Sequence, residues 1–116
     1  MIDVNPIVEK LLKSIDGVKV TFYYPSSFNT LPVISYYDVS DIEGLRADNK
    51  EWTQDVDVQI DVWGKTAKQA KDISISVNDA MQSDGWRRTF SQPLPQDSEI
   101  YHRTMRFNKI FYLGGN

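Results

Sequence analysis

The sequence predicts an α+β domain: a sheet of about five strands, antiparallel or mixed, with two helices on its apolar face, in the order α-β-β-β-α-β-β. Three observations lead there. Between Thr53 and Met81 the hydrophobic period lengthens from two to a helical spacing across Gly64-Lys65-Thr66, so a strand, a sharp turn and an amphipathic helix follow one another. An earlier apolar stripe of Ile7, Val8, Leu11, Leu12 and Ile15 has helical spacing as well. After Gly85 alternation returns and continues nearly to the end.

Taken in order, Asn5 is placed to cap the first helix, with Pro6 at its first position where a missing N–H does no harm, and Asp16-Gly17 ends it. Val18 to Tyr24 then reads as a strand with Val18, Val20, Phe22 and Tyr24 on one face, broken by Pro25-Ser26-Ser27. Pro32 cannot sit in a central strand, so the second strand spans roughly Val33 to Val39. Ser40 to Glu51 is polar and contains Gly44, which makes it a long connection of the kind that tends to carry function or motion.

In the third strand Val56, Val58, Ile60 and Val62 alternate with Asp55, Asp57, Gln59 and Asp61, giving one apolar and one acidic face. Thr66 and Gln69 form a capping box for a helix in which Ala67, Ala70, Ile73, Val77 and Met81 recur at helical intervals, stopped by Gly85. Trp86 to Ser91 is a short strand, and Gln92 to Ser98 a proline-bearing loop. The last strand, about Glu99 to Leu113, puts Tyr101, Met105, Phe107, Phe111 and Leu113 on one side and His102, Thr104, Arg106 and Asn108 on the other. Gly114-Gly115-Asn116 reads as a frayed end. Whether the third and fourth strands pair in parallel through the helix stays open.

With 116 residues and no cysteine, the expectation is one domain with a single core, free of disulfides, thiolate metal sites and cysteine nucleophiles. That composition fits a reducing cytoplasm. The first residues show no secretion signal and no apolar run reaches bilayer length, so no membrane role is expected. A net charge of −3 gives no overall pull toward nucleic acid. The charge is unevenly placed, however. Eight acids lie between Asp38 and Asp61 against Arg46 and Lys50, whereas Arg87, Arg88, Arg103, Arg106 and Lys109 outnumber Asp97 and Glu99 farther on. Solvated surface explains either cluster, and opposite-sign regions also suit head-to-tail self-association.

Chemistry finds little support. Gly64-Lys65-Thr66 resembles the end of a phosphate-binding loop, yet the required first glycine is Gln59, and Ile60, Asp61, Val62 and Trp63 cannot form an anion nest. Gly64 therefore turns the chain, Lys65 is solvated and Thr66 caps. His102 is the only histidine, so zinc would have to rest on carboxylates. Asp55, Asp57 and Asp61 share a strand face, with Asp55 and Asp57 about 7 Å apart, near enough for a shared hard cation or an acid–base pair. A straight strand row nevertheless does not converge on a metal. No serine lies in Gly-x-Ser-x-Gly. Trp63, on the acidic face, reads either as an interface anchor or as a ring covered by a lysine stem or a loop. Arginines interleaved with Trp86, Phe90 and Tyr101 could meet a nucleic-acid backbone, but no binding motif accompanies them.

The stretch Asp55-Val-Asp-Val-Gln-Ile-Asp-Val-Trp63, the Gly-Lys-Thr turn, the alanine-rich helix Ala67 to Met81, Gly85 and Tyr101-His-Arg-Thr-Met-Arg-Phe107 together resemble the tail-completion (tail-terminator, or tail-to-head joining) proteins of long-tailed bacteriophages and prophages. The likeness covers most of the chain. It implies a structural virion protein without enzymatic activity or cofactor, forming a ring, commonly a hexamer, on the head-proximal end of the tail tube. Its partners would be its own copies, the tail-tube protein and the head connector, with DNA passing through the ring. It would reside in the virion, and in the host cytoplasm before assembly. On this reading Asp55, Asp57, Asp61 and Trp63 with Arg87, Arg88, Arg103 and Arg106 are expected subunit contacts, and Gly44, Leu45 and Arg46 face the tube or connector. The alternatives are a metal-dependent phosphodiesterase or nuclease built on the aspartate strip, and an unrelated cytoplasmic adaptor.

Overall fold

A computed structural model describes residues 1–95 and 99–113. The expected end at Gly114 to Asn116 and part of the proline-bearing loop lie outside the described residues. Two helices, α1 (Asn5–Lys13) and α2 (Ala67–Ser83), pack on one face of a five-stranded mixed sheet. Its strands are β1 (Lys19–Phe22), β2 (Val33–Glu43), β5 (Thr53–Gly64), α2-flanking β6 (Arg87–Pro93) and β7 (Tyr101–Tyr112), and a small hairpin of β3 (Arg46–Ala47) and β4 (Lys50–Glu51) stands apart. The predicted α+β class and element order hold.

The spatial order is β1-β2-β5-β7-β6. β1 runs parallel to β2; every other pairing is antiparallel. The question left open by the sequence resolves simply: β5 and β6 run in the same direction across α2 but do not pair, because β7 lies between them.

Alternation in β5 builds the core. Val56, Val58, Ile60 and Val62 are fully buried and meet Val8 and Leu12 of α1 and Ala70, Val77 and Met81 of α2. Each such side chain contributes about 1.5–3 kcal/mol by leaving water. The Thr66 hydroxyl accepts a hydrogen bond from the Gln69 N–H at 3.0 Å, and the Gln69 side-chain Oε1 accepts from the Lys65 N–H at 2.7 Å. The capping box thus closes one residue earlier than the usual reciprocal pair. At the other end Gly85, with φ +89°, lets Trp86 N–H return to the Met81 carbonyl and Gly85 N–H to that of Gln82.

Three local expectations are corrected. Asn5 does not cap α1; it lies inside the helix and the Asp3 carboxylate accepts its N–H at 3.1 Å. The first strand stops at Phe22, since Tyr23 adopts φ +70° and turns Tyr24 out of the alternation toward the opposite side of the sheet. Finally, Ser40 to Glu51 is not a long loop. β2 continues to Glu43 after a bulge beyond Asp38, and the chain then folds into the β3–β4 hairpin. Asp48 and Asn49 make its turn with φ +53° and +60°, a left-handed pair that short polar side chains tolerate.

Candidate functional site

Strand parity divides the sheet into a helix-covered face and an open one, and the residues expected to act fall on both. Across the open face the cross-strand register sets up rows. One contains Tyr37, Gln59, Arg106 and Phe90; the next contains Ser35, Asp61, Thr104 and Gln92; a third begins with Val33, Trp63 and His102. From these rows Tyr37, Gln59, Arg106, Phe90, Asp61, Thr104, Trp63 and His102, together with Tyr23, Tyr24 and Leu94, line a concavity of about 610 Å³ over β5 and β7.

Its floor is a buried polar cluster. Asp61, 5 % exposed, bonds through one carboxylate oxygen to His102 Nε2 at 2.8 Å and through the other accepts from the Gln59 amide at 3.0 Å. Gln59 turns its own carbonyl oxygen to Arg106 Nε at 3.2 Å. The His102 ring stacks on Trp63 with centroids 4.4 Å apart and planes 17° from parallel. Tyr24 and Phe28, from the connection between β1 and β2, meet the Trp63 ring at 5.5 and 5.4 Å. Trp63 is therefore 4 % exposed, covered by a loop within its own subunit rather than presented to solvent. Ser35 Oγ, buried beside Asp61, has no partner among the described residues.

Asp55 and Asp57 stand farther along the same face. The Asn108 amide nitrogen donates to both, at 2.7 and 3.0 Å, which satisfies one oxygen of each carboxylate internally. No group of three or more acidic, histidine or cysteine side chains placed to hold a metal occurs among the described residues.

The four arginines separate. Arg87 and Arg106 lie on the open face, but Arg88 donates to the Asn78 side chain of α2 at 3.1 Å, and Arg103 reaches toward Ser91 on the helix side. All of β6, the edge strand carrying Arg87 and Arg88, is exposed. Lys109 is committed elsewhere: its ammonium caps the C-terminal end of α2 through the Asp84 carbonyl and lies 4.9 Å from the Phe111 ring centroid. Gly44, Leu45 and Arg46 form the approach to the β3–β4 hairpin, where Leu45 is 61 % exposed and Arg46 pairs with Glu43 at 3.2 Å. The same end of the molecule holds a contact that the sequence did not suggest. Gln54, fully buried, accepts the Ile2 N–H and donates to the Ile2 carbonyl and Asp41, fixing the N-terminal segment to the sheet.

The Gly64-Lys65-Thr66 turn has no anion nest. β5 is a regular strand through Gly64, and the turn serves close packing instead: a Cβ on Gly64 would stand 3.1 Å from the Ala70 nitrogen.

Neither a protein-family model nor a curated protein matches the chain. By structure it is similar to the gp17 protein of bacteriophage SPP1, with a TM-score of 0.55 and 18 % sequence identity over 97 % of this chain and 90 % of that one. The two share a fold. At this identity the likeness reaches the arrangement of strands and helices and not individual side chains. Among the described residues no helix is long and apolar enough to cross a membrane.

Proposed function

We propose that this chain is a structural protein of a bacteriophage virion, which caps the head-proximal end of a tail tube and joins it to the capsid connector as a ring of identical subunits, commonly a hexamer. The observation that carries the reading is the fold shared with a bacteriophage protein across nearly the whole chain. The sequence resemblance to tail-completion proteins supports it independently. The role needs no catalytic group or cofactor.

A closed ring needs two unlike surfaces on every subunit. The exposed edge strand with Arg87 and Arg88 supplies a basic surface, and Asp55 and Asp57 an acidic one. In this proposal Arg103 supports the β6 edge from the helix side, while Asp61 and Trp63 shape the subunit from within. Gly44, Leu45 and Arg46, at the base of the projecting hairpin, meet the tail-tube protein or the connector, and DNA crosses the central opening. Before assembly the protein is in the host cytoplasm.

The nuclease alternative is disfavoured by the bonding of its carboxylates: Asp61 is committed to His102 and Gln59, and Asn108 bridges Asp55 and Asp57. Electron microscopy of tails assembled with and without the protein tests the role. Loss of head joining and tails of variable length in its absence are expected, and uniform tails that still join heads would refute it. Charge reversal at both Arg87 and Arg88 should reduce ring formation without unfolding the subunit.

A further inference from the structure

We propose that the concavity on the open sheet face is a docking site for an acidic protein segment that carries apolar side chains between its carboxylates. The inference concerns this groove alone and does not depend on the virion role.

The argument starts from which polar groups are already used. Asp61 makes the groove look acidic in sequence, but both of its oxygens are hydrogen-bonded, to His102 and Gln59. Gln59 is likewise engaged at both ends of its amide. Arg106 is exposed and spends only Nε on Gln59; its two terminal nitrogens have no partner among the described residues. The cation left to face a ligand is therefore a guanidinium whose planar fork suits a carboxylate. Arg87 adds a second exposed cation on the same face, one register row away on the adjoining strand.

Around this charge the walls are aromatic. Tyr23 and Tyr37 stand 5.4 Å apart on one side and Phe90 on the other, and Tyr23, Tyr24 and Phe90 remain 65 %, 59 % and 42 % exposed. Exposed tyrosines beside an arginine are the side chains that dominate binding at protein interfaces, because they bury large area at small entropic cost and keep a polar tip. A volume of about 610 Å³ admits a few side chains of a segment lying along β5 and β7.

The acids farther along the face select the class of occupant. Asp55 and Asp57 continue the same strand face beyond Gln59. A nucleic-acid strand, charged at every residue, would leave Arg106 and run directly into them. A peptide can place carboxylates at Arg106 and Arg87 and neutral side chains elsewhere, so charge complementarity favours a polypeptide.

The test uses the full chain, ¹⁵N-labelled, titrated with the peptide acetyl-Glu-Leu-Glu-Phe-Glu-Leu-amide and with its counterpart having lysine for glutamate. Saturable shifts of the Trp63 indole N–H and of the Phe90 and Arg106 amides are expected with the acidic peptide only. Arg106→Gln should weaken binding about tenfold, the loss of one charge-assisted contact. Arg88→Gln, on the helix side, should leave it unchanged. Near-UV circular dichroism checks that both variants stay folded. Equal binding of the lysine peptide, unchanged affinity in Arg106→Gln, or shifts confined to the helix face would overturn the proposal. Two further outcomes would also overturn it: binding of oligothymidylate at the same resonances, and self-association that buries these resonances without peptide.

Discussion

Replacing His102 tests the physical account of the groove floor. His102→Phe keeps an aromatic ring on Trp63 but removes the 2.8 Å bond to Asp61, whose side chain is only 8 % exposed. Leaving that carboxylate with Gln59 as its remaining side-chain partner costs about 1–3 kcal/mol, the desolvation penalty of an under-satisfied buried acceptor. His102→Ala also forfeits the stacked ring, worth about 0.5–1.5 kcal/mol beyond area, for a total of about 1.5–4.5 kcal/mol. Against a typical stability of about 5–15 kcal/mol, both variants should remain folded and measurable by urea denaturation. Adding Asp61→Asn to His102→Phe should recover part of the loss, since an uncharged amide is less costly to bury. The decisive comparison is the phenylalanine variant. A loss below about 0.5 kcal/mol, or strict additivity with Asp61→Asn, would show that the Asp61–His102 contact does not stabilise the sheet.

Three further outcomes are expected. Gly85→Ala forces a Cβ into φ +89°; a left-handed penalty of about 1–2 kcal/mol, partly offset by a stiffer unfolded chain, should lower the unfolding free energy measured by urea denaturation by a net of about 1 kcal/mol. Gly64→Ala would press on the Ala70 nitrogen at 3.1 Å and the Gln69 side-chain Oε1 at 3.2 Å, costing about 1–3 kcal/mol through overpacking and speeding amide exchange in the first turn of α2. Burial pushes the Tyr36 phenol up from 10.0, with the Glu9 and Asp3 carboxylates acting in the same direction. Its contribution is intact below pH 10.0 and is lost as pH rises through the raised value, because the unfolded phenol ionises first. Tyr36→Phe should therefore lose less stability on alkaline titration than the parent; parallel urea midpoints would refute that origin.

Elements were legible where a local rule decides them. The β5 alternation, the Thr66 cap and the Gly85 stop each depend on a few neighbouring residues, and each is present. What depends on partners distant in sequence was not legible. Asp61 meets His102 only because β7 inserts between β5 and β6, a choice that no window of sequence expresses. Trp63 is likewise covered by residues distant in sequence, Tyr24 and Phe28, and these isolated aromatics in a proline- and serine-bearing connection are a usable signal that something apolar needs a lid. The polar segment Ser40 to Glu51 reads as a connection because its strand residues are polar and the hairpin strands only two residues long; Asp48-Asn49, adjacent residues tolerant of positive φ, mark the hairpin turn.

The arginine run shows how linear charge differs from a charged patch. Arg87 and Arg88 are adjacent in sequence, and on an extended edge strand adjacency means opposite faces. Arg106 shares the open face with Arg87, and Arg103 the helix-side face with Arg88, although all four lie between residues 87 and 106. The sheet therefore carries two separate basic positions, one beside the aromatic groove and one beside α2. A contact that uses the edge strand meets both, whereas a segment lying in the groove meets only the first. Charge reversal at Arg87 alone should consequently affect edge and groove together, and reversal at Arg88 alone should affect the edge and spare the groove. That asymmetry separates subunit assembly from partner docking on a sheet only five strands wide.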